Sequence, residues 1–288
     1  MAQPNIDAGG AVGRGGPVVR VIAKGPDWAI YDYTCNAGPR DRPFEEMHDG
    51  ATIAAVVAGS FTYRSGSGRA LLYPGAFLLG NAGKCFECGH DHSTGDRCIA
   101  FNFAPALFAE ISATAAGTSG YAFPAATLPI SKGLTAIVAR TERVDSTVPP
   151  DAAGEVAAHV AETVIAAMSG HVARPVRFSS RDEQRITDAL NHIEAHASGP
   201  LELDVLANLV CMSKYHFLRV FRRVVGMTPY QYLLSVRMRR AASRLAGTAE
   251  GVASIAFDSG FGDLSTFNHR FRDLFGMTPV AYRRRGLV

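Results

Sequence analysis

The sequence predicts a two-part protein: an all-β half, a small barrel or sandwich, followed by an all-α half built around two copies of one helical unit. Three observations carry this. Residues 18–103 are short apolar runs broken by glycine, proline and aspartate, the pattern of many short strands with close turns. The phrase Phe217, Phe221, Gly226-Met227-Thr228-Pro229, Tyr232 returns fifty residues later as Phe267, Phe271, Gly276-Met277-Thr278-Pro279, Tyr282. Charge divides along the same line. Residues 201–288 hold 13 Lys and Arg against 6 Asp and Glu, whereas the first 200 hold 16 against 20.

The chain has 288 residues, of which 47% are hydrophobic and 19% charged, a globular composition with room for two cores. No apolar run approaches the roughly 20 residues of a membrane helix, and the first residues lack a basic-then-apolar leader. A cytoplasmic protein with no membrane partner is expected. Gly9-Gly10, Gly13 and Gly15-Gly16 read as a flexible tail over residues 1–16. The cysteines Cys35, Cys85, Cys88, Cys98 and Cys211 are too few for a disulfide scaffold. In a reducing compartment they are thiols, ligands or redox switches.

The strand candidates are Trp28–Tyr33, Thr52–Ala58, Ser60–Tyr63, Ala70–Leu72, Ala76–Leu79 and Arg97–Phe103. Tyr73-Pro74-Gly75 is a turn, because proline presets φ and glycine permits a positive one. A helical stretch begins at Pro105–Ile111, and Asp151–Met168 is a helix whose Val156, Val160, Val164 and Ala167 recur at three- and four-residue spacing. That small-residue stripe suits either an intramolecular core or the seam of a homodimer. Arg174-Pro175 to Ser180 reads as a linker, with Ser179 or Ser180 capping the next helix.

The most unusual local chemistry is Cys85-Phe-Glu-Cys88-Gly-His90-Asp-His92, followed by Cys98. Thiolate and imidazole donors of this kind suit zinc or another thiophilic metal, which makes Cys85, Cys88, His90, His92 and Cys98 candidate ligands. The same cysteines could equally form a dithiol switch, or lie buried as small apolar residues of a strand.

In the second half, Glu183–His196 is a helix with Ile186, Ala189-Leu190 and Ile193 on one face, ended by Gly199-Pro200. Asp204–Val210 is a short helix, Cys211-Met212 a turn, and Ser213 the cap of a helix running to Val225. Ala207 is small where the two helices would cross, as a helix-turn-helix requires. Phe217, Val220 and Phe221 face inward, leaving Lys214, Tyr215, Leu218, Arg219 and Arg222 outward. Such a face suits the major groove of double-stranded DNA. A solvated face on a core helix is the plainer alternative for a single copy.

The second copy comprises Val252–Ser259 with Ala256 at the crossing, the turn Gly260-Phe261-Gly262, and Asp263–Phe275. Phe267, Phe271 and Phe275 face inward; Ser265, Thr266, Asn268, His269 and Arg272 face outward. Its turn is one residue longer, since Ala207 to Phe217 is ten residues and Ala256 to Phe267 is eleven. Between the copies a helix from Pro229 through Leu245 buries Tyr232-Leu233, Val236, Ala241 and Leu245, and Arg237, Arg239, Arg240 and Arg244 make it basic. As a rod it would set two recognition helices one DNA turn apart, about 34 Å. Within Arg283-Arg284-Arg285, Arg284 is a phosphate contact or part of a solubilising tail.

Residues Glu183–Arg285 resemble the AraC/XylS family of bacterial transcription regulators, above all Ile255-Ala256-Phe257-Asp258-Ser259-Gly260-Phe261 through Phe267, Phe271, Phe275-Gly276-Met277-Thr278-Pro279 and Tyr282. The resemblance implies two helix-turn-helix subdomains joined by a linker helix, over residues 181–288. Tyr215, Leu218 and Arg219 match the reading positions of the first recognition helix, and Ser265, Asn268 and His269 those of the second. Residues 17–104 are similar to the cupin-like sensing domain of many members, with Tyr73-Pro74-Gly75 matching its Pro-Gly turn. Residues 105–180 would be a helical dimerisation and linker region. The resemblance puts His48 and the Cys85–His92 loop at the barrel mouth, so His48, Cys85 and Cys88 are the expected effector-binding residues. Cysteines stand where the usual cupin histidine set would be, which favours a metal or thiol-reactive effector beside the family's small organic ones.

The implied protein is an effector-gated, homodimeric DNA-binding regulator, with RNA polymerase a further candidate partner and no catalytic residue. Its rival is a cupin-type metalloenzyme fused to a DNA-binding module, against which the missing compact histidine-carboxylate triad speaks. A DNA-repair protein of the methyl-transferring kind is less suited to the strand-rich first half, where no reactive-cysteine sequence is recognisable.

Overall fold

The computed structural model describes residues 17–145, 147–169 and 179–286. The glycine-rich opening, residues 1–16, and most of the Arg174–Ser180 segment lie outside the described residues. The strands, in chain order, are β1 (Val18–Lys24), β2 (Trp28–Cys35), β3 (Phe44–Met47), β4 (Ala51–Gly59), β5 (Phe61–Ser65), β6 (Gly68–Leu72), β7 (Phe77–Gly80), β8 (Cys85–Gly89), β9 (Asp96–Phe103) and β10 (Thr127–Leu128). They form two sheets, a larger one in the order β1-β2-β9-β4-β7-β10 and a smaller one in the order β3-β8-β5-β6.

The alternation of each strand in the larger sheet sorts its side chains. On β9, Asp96, Cys98, Ala100 and Asn102 line a cavity toward the smaller sheet, while Ile99, Phe101 and Phe103 are buried on the opposite face. Register carries the pattern across neighbours: Tyr33 opposes Cys98 and Cys35 opposes Asp96, whereas Ile30 opposes Phe101. A strand residue shares its face with the residue directly opposite.

Two helices, α1 (Pro105–Ala116) and α3 (Pro150–Met168), cover the Ile30–Phe101 face and complete one apolar core. Val156, Val160 and Val164 of α3 are buried inside this single chain. The small-residue stripe is therefore an intramolecular face, and these side chains are not available as a seam between subunits. Between α1 and α3 lies a short helix that the sequence patterning did not reveal, α2 (Thr135–Thr141). It packs on the α-half, and its Ala139 belongs to the core of the second helical unit.

The α-half consists of α4 (Ser180–Ala195), α5 (Leu203–Leu209), α6 (Lys214–Val225), α7 (Pro229–Gly247), α8 (Val252–Asp258), α9 (Leu264–Phe275) and α10 (Pro279–Gly286). Both units use the same local devices. The Ser213 hydroxyl accepts from His216 N and the Asp263 carboxylate from Thr266 N, capping α6 and α9; each cap is worth about 1 kcal/mol. In the turns, Met212 N donates to Ala207 O at 2.9 Å and Phe261 N to Ala256 O at 3.1 Å. One position before each donor the chain enters the left-handed region, with Cys211 at φ 50° and Gly260 at φ 89°. A side chain at Gly260 would lie 2.7 Å from Ser198 O, so glycine is required there, whereas the first unit accommodates Cys211. The extra residue of the second turn is Gly262, placed between Phe261 and the cap.

The two cores are anchored differently. Phe217, Phe221, Val225, Tyr232 and Val236 belong to an apolar cluster that continues into Tyr63, Leu72, Tyr73 and Leu78 of the β-half. Phe267, Phe271 and Phe275 close with Met238, Ala242 and Leu245 of α7 and with Ala139. Among the described residues, no helix is long and apolar enough to cross a membrane.

Candidate DNA interface and the cavity between the sheets

The outward positions of α6 and α9 are where the 3.6-residue period puts them. Lys214, Tyr215, Arg219 and Arg222 are exposed and Leu218 is half-buried, while Phe217 and Phe221 are fully buried beneath them. On α9, Ser265, Thr266, His269 and Arg272 are exposed and Asn268 is half-buried, above fully buried Phe267 and Phe271. Tyr215 is 78% exposed, unusually so for an aromatic ring. The polar contacts on these faces are local: Lys214 Nζ lies 2.7 Å from Asp204 Oδ1 and His269 Nε2 3.7 Å from Asp273 Oδ2, and Arg219 Nη2 lies 3.2 Å from His216 Nδ1. Exposed pairs of this kind hold a side chain by less than about 1 kcal/mol, so they yield to a stronger partner. Arg284 is exposed on α10.

The arginines of α7 are placed otherwise than its basic composition suggests. Arg237 is buried and donates through Nε to Ala197 O at 2.6 Å and through Nη2 to Gly199 O at 2.5 Å, serving the chain that leaves α4. Arg239 is 3% exposed and pairs with Glu142, which follows α2, and with Glu194 of α4. Burial alone would weaken its charge, but the Glu142 and Glu194 carboxylates hold it protonated, above its ordinary value. Arg240 pairs with Glu194 at 3.1 Å, and Arg244 with Glu250 and Asp258. Most of this helix's positive charge is therefore spent on internal order. Exposed cations also stand on α6, α9 and α10.

Between the two sheets lies a cavity of about 220 Å³ whose lining includes Tyr33, Cys35, Glu46, His48, Phe86, Cys88, Asp96, Cys98 and Asn102. His48 is held on three sides. Its ring stacks on Phe86 with centroids 4.1 Å apart, its Nε2 lies 2.8 Å from Tyr63 Oη, and any side chain at Gly80 would come within 2.4 Å of it. Burial pulls the imidazole down to about 4, so it is neutral at pH 7 and offers one donor and one acceptor. Burial also raises the Glu46 carboxyl and pushes the Tyr33 phenol up to about 12. Asn102 Oδ1 is shielded from solvent and has no hydrogen-bond partner among the described residues. An unmet acceptor inside a cavity favours a ligand that brings a donor.

The Cys85–His92 segment is rearranged by being a strand for part of its length. On β8 successive side chains alternate, so Phe86 and Cys88 line the cavity, whereas Cys85 is exposed on the other face. An odd spacing on a strand separates the two sulfurs, so Cys85 does not join Cys88 at the cavity. His92 Nε2 instead lies 3.3 Å from Ser180 Oγ at the start of α4. Among the described residues, the group that could hold a metal ion is Cys35, His90 and Asp96, whose ligand atoms all lie within 4.8 Å of one another.

His90 Nε2 sits 2.6 Å from Asp96 Oδ1, and Cys98 Sγ donates to Asp96 Oδ2 at 3.4 Å. Of the expected ligands, His90 is in the group and Cys98 borders it through Asp96. Asp96 is not among the ligands the sequence suggests, and Cys35 stands there only as one of the five thiols. They are distant along the chain and meet because they are partners in the β2–β9 ladder. Burial raises the Cys35, Cys88 and Cys98 thiols, so each is a neutral thiol unless a cation displaces its proton.

A family model described as a helix-turn-helix domain matches residues 206–285. HTH-type transcriptional regulator ArgR of Pseudomonas aeruginosa is 34% identical over 104 residues, 35% of this chain and 32% of that protein. The chain thus spans about a third of ArgR's length. The Transposon Tn10 TetD protein of Escherichia coli is 35% identical over 102 residues, 35% of this chain and 74% of TetD. Among solved structures, a transcriptional regulator of Chromobacterium violaceum described as an AraC-type DNA-binding domain-containing protein is 28% identical, with a TM-score of 0.36, over 38% of this chain and 97% of that one. None of these proteins is named as an enzyme. With TetD covered over most of its length and the domain model matched across both units, the chain belongs to the helix-turn-helix family of DNA-binding proteins related to AraC/XylS-type regulators.

Proposed function

We propose that the chain is a sequence-specific, non-enzymatic transcription regulator whose recognition helices, α6 and α9, enter successive major-groove segments of double-stranded DNA. The observation that carries this reading is the pair of matched cores presenting unlike polar faces: Tyr215, Leu218 and Arg219 on one, Ser265, Asn268 and His269 on the other. Arg can read guanine and Asn adenine through paired hydrogen bonds, so each helix reads a different half of an asymmetric site. Lys214, Arg222, Thr266, Arg272 and Arg284 position the protein on phosphates, and α7 is the linker helix that spaces the two units. Arg219→Ala should reduce the preference at one base step by about 1–3 kcal/mol, measured by competition between operator and random DNA. An equal loss on both DNAs would remove Arg219 from the reading positions.

The cavity between the sheets, in a cupin-like barrel, is the effector site, with His48, Cys88 and the unmet Asn102 acceptor as its polar contacts. The regulator is a cytoplasmic homodimer that acts on RNA polymerase. Effector occupancy shifts the presentation of the two DNA units by favouring one arrangement of the halves over another. Cys35, His90 and Asp96 supply the thiolate, imidazole and carboxylate set that suits zinc or a similar thiophilic ion. Such an ion would tie β2 to β9 and to the segment after β8 at the cavity wall. Elemental analysis of the full chain tests this: bound zinc should persist in Cys85→Ser and be lost in Cys35→Ser. Equal zinc in both variants, or none in the parent protein, would return these residues to a purely structural role.

A further inference from the structure

The end of α4 carries two imidazoles one turn apart, His192 in its last turn and His196 at its C-cap. Residues four apart on a helix share a face, and these rings stack with centroids 4.2 Å apart and planes 26° from parallel. His192 is half-buried and His196 exposed. His196 Nδ1 lies 2.9 Å from His192 O. A carbonyl oxygen can only accept, so Nδ1 carries the proton and donates. The neutral ring therefore keeps its lone pair on Nε2. A hydrogen bond from the other ring nitrogen to a backbone carbonyl is how metal-ligating histidines are oriented.

A recess of about 120 Å³ opens beside the pair, where the chain passes through Pro200 toward α5. Its charged or titratable lining residues are His192, His196 and Glu202, and Ile193, Val205 and Leu206 belong to its apolar remainder. Glu202 is exposed at the N-cap of α5, where its side chain makes no capping hydrogen bond. Among the described residues no ion pair is seen for its carboxylate. The recess also lies at the C-terminal end of a 16-residue helix, where unpaired carbonyls favour positive charge. An anion would meet both Glu202 and that helix end unfavourably. Hard cations such as Mg2+ take oxygen ligands, whereas imidazole nitrogen suits the borderline divalent ions.

We infer that His192 and His196 chelate a borderline divalent transition-metal ion, such as zinc or nickel, with Glu202 as the third ligand from across the recess. This site shares no residue with the Cys35, His90 and Asp96 group. The ion would tie the end of α4 to the start of α5, the first helix of the first helix-turn-helix unit. Arg237 already holds this connection through Ala197 O and Gly199 O, so the ion adds a second clasp to it. An ion that binds only the folded unit stabilises it by mass action. Exposed ligands release their ion readily, so this site is read by titration rather than by metal retained through purification.

The test is calorimetric titration of the full chain carrying Cys35→Ser with Ni2+, with Mg2+ as the control. The parent chain should show the same site, so the result does not hang on the Cys35 substitution. One Ni2+ should bind at the recess. His196→Gln, at an exposed side chain, and His192→Gln should each weaken it by about tenfold or more, and Glu202→Gln by less. His159→Gln removes an exposed imidazole from α3 and should change nothing. Far-ultraviolet circular dichroism checks that each variant keeps its helices. Ni2+ should also raise the urea midpoint of the chain, and fail to do so once His196→Gln is added. The inference is overturned if no Ni2+ binds, if binding survives His196→Gln, or if Mg2+ binds as tightly. Equal weakening by His159→Gln would also overturn it, marking adventitious binding to exposed histidines. Unchanged binding in Glu202→Gln would overturn the three-ligand site.

Discussion

The two helix-turn-helix units are alike inside and unlike in what they lean on. Each has a capped second helix, α6 or α9, a left-handed glycine at its end, Gly226 or Gly276, and a phenylalanine pair facing the first helix. The tyrosine that closes each repeat shows the divergence. Tyr232 is fully buried and reaches out of its unit: its hydroxyl lies 3.1 Å from Pro74 O and 2.9 Å from Glu194 Oε1. Tyr73, beside it, donates to Val225 O at 2.9 Å. Tyr282 is half-buried and packs mainly within its unit, with its ring 5.3 Å from Phe271 and 5.2 Å from Phe275 and the Arg143 guanidinium 5.9 Å over it. The two units share the pattern of their cores and differ in their surroundings. The first is continuous with the β-half, while the second meets the first half through α2 and the residues flanking it.

The largest effect that would break this comparison is removal of a core ring. Phe217→Ala and Phe267→Ala should each cost about 3–5 kcal/mol, yet spread differently. Trp28, the single tryptophan, lies on β2 and reports the β-half. In denaturant, Phe217→Ala should shift the Trp28 fluorescence and the far-ultraviolet helical signal together, because its core runs into Tyr63 and Leu72. Phe267→Ala should lose helical signal before Trp28 responds. Coincident transitions in both variants would mean that the second unit is no more separable than the first.

A smaller effect sharpens the same point. Tyr232→Phe deletes a hydroxyl that bridges the halves and should lower stability by about 1 kcal/mol. Tyr282→Phe removes a hydroxyl for which no hydrogen bond is seen among the described residues, and should stay within about 0.5 kcal/mol of the parent. Equal losses, measured by urea unfolding, would erase the distinction drawn between the two tyrosines.

How far the sequence exposed this architecture depends on the range of the interactions that define each part. Caps, turns and buried faces are local. The Ser213 cap, the inward phenylalanines, the one-residue difference in the turns and the strands Trp28–Tyr33 and Arg97–Phe103, which the structure extends to Cys35 and back to Asp96, can be read from spacing alone. The Cys85-x-x-Cys88 spacing brings two sulfurs together in a loop, where both can turn the same way. In a strand they cannot. Cys35 with Asp96 was invisible because strand pairing, not sequence distance, joins them. The sequence shows α7 to be basic but not the partners of its arginines, because Glu142, Glu194, Glu250 and Asp258 lie on other elements and only the packed fold brings those carboxylates to them.

That last difference returns to the repeat. Aligned on the shared Thr-Pro, Tyr232 is followed by Leu233 and Leu234, and Tyr282 by Arg283 and Arg284. The first copy turns these positions inward, with Leu233 buried and Leu234 half-buried. In the second, Arg283 donates through Nε to Leu245 O at 3.2 Å and also bonds Glu250 O, while Arg284 stands exposed. If Arg284 meets a phosphate, Arg284→Ala should weaken binding to every DNA and reduce the slope of log affinity against log salt by about 0.9. Arg240, though also exposed, is paired with Glu194. Arg240→Ala should leave that slope unchanged and cost less than about 1 kcal/mol of stability. An unchanged slope in Arg284→Ala would show that the second copy's arginines, like those of α7, serve the fold rather than the DNA.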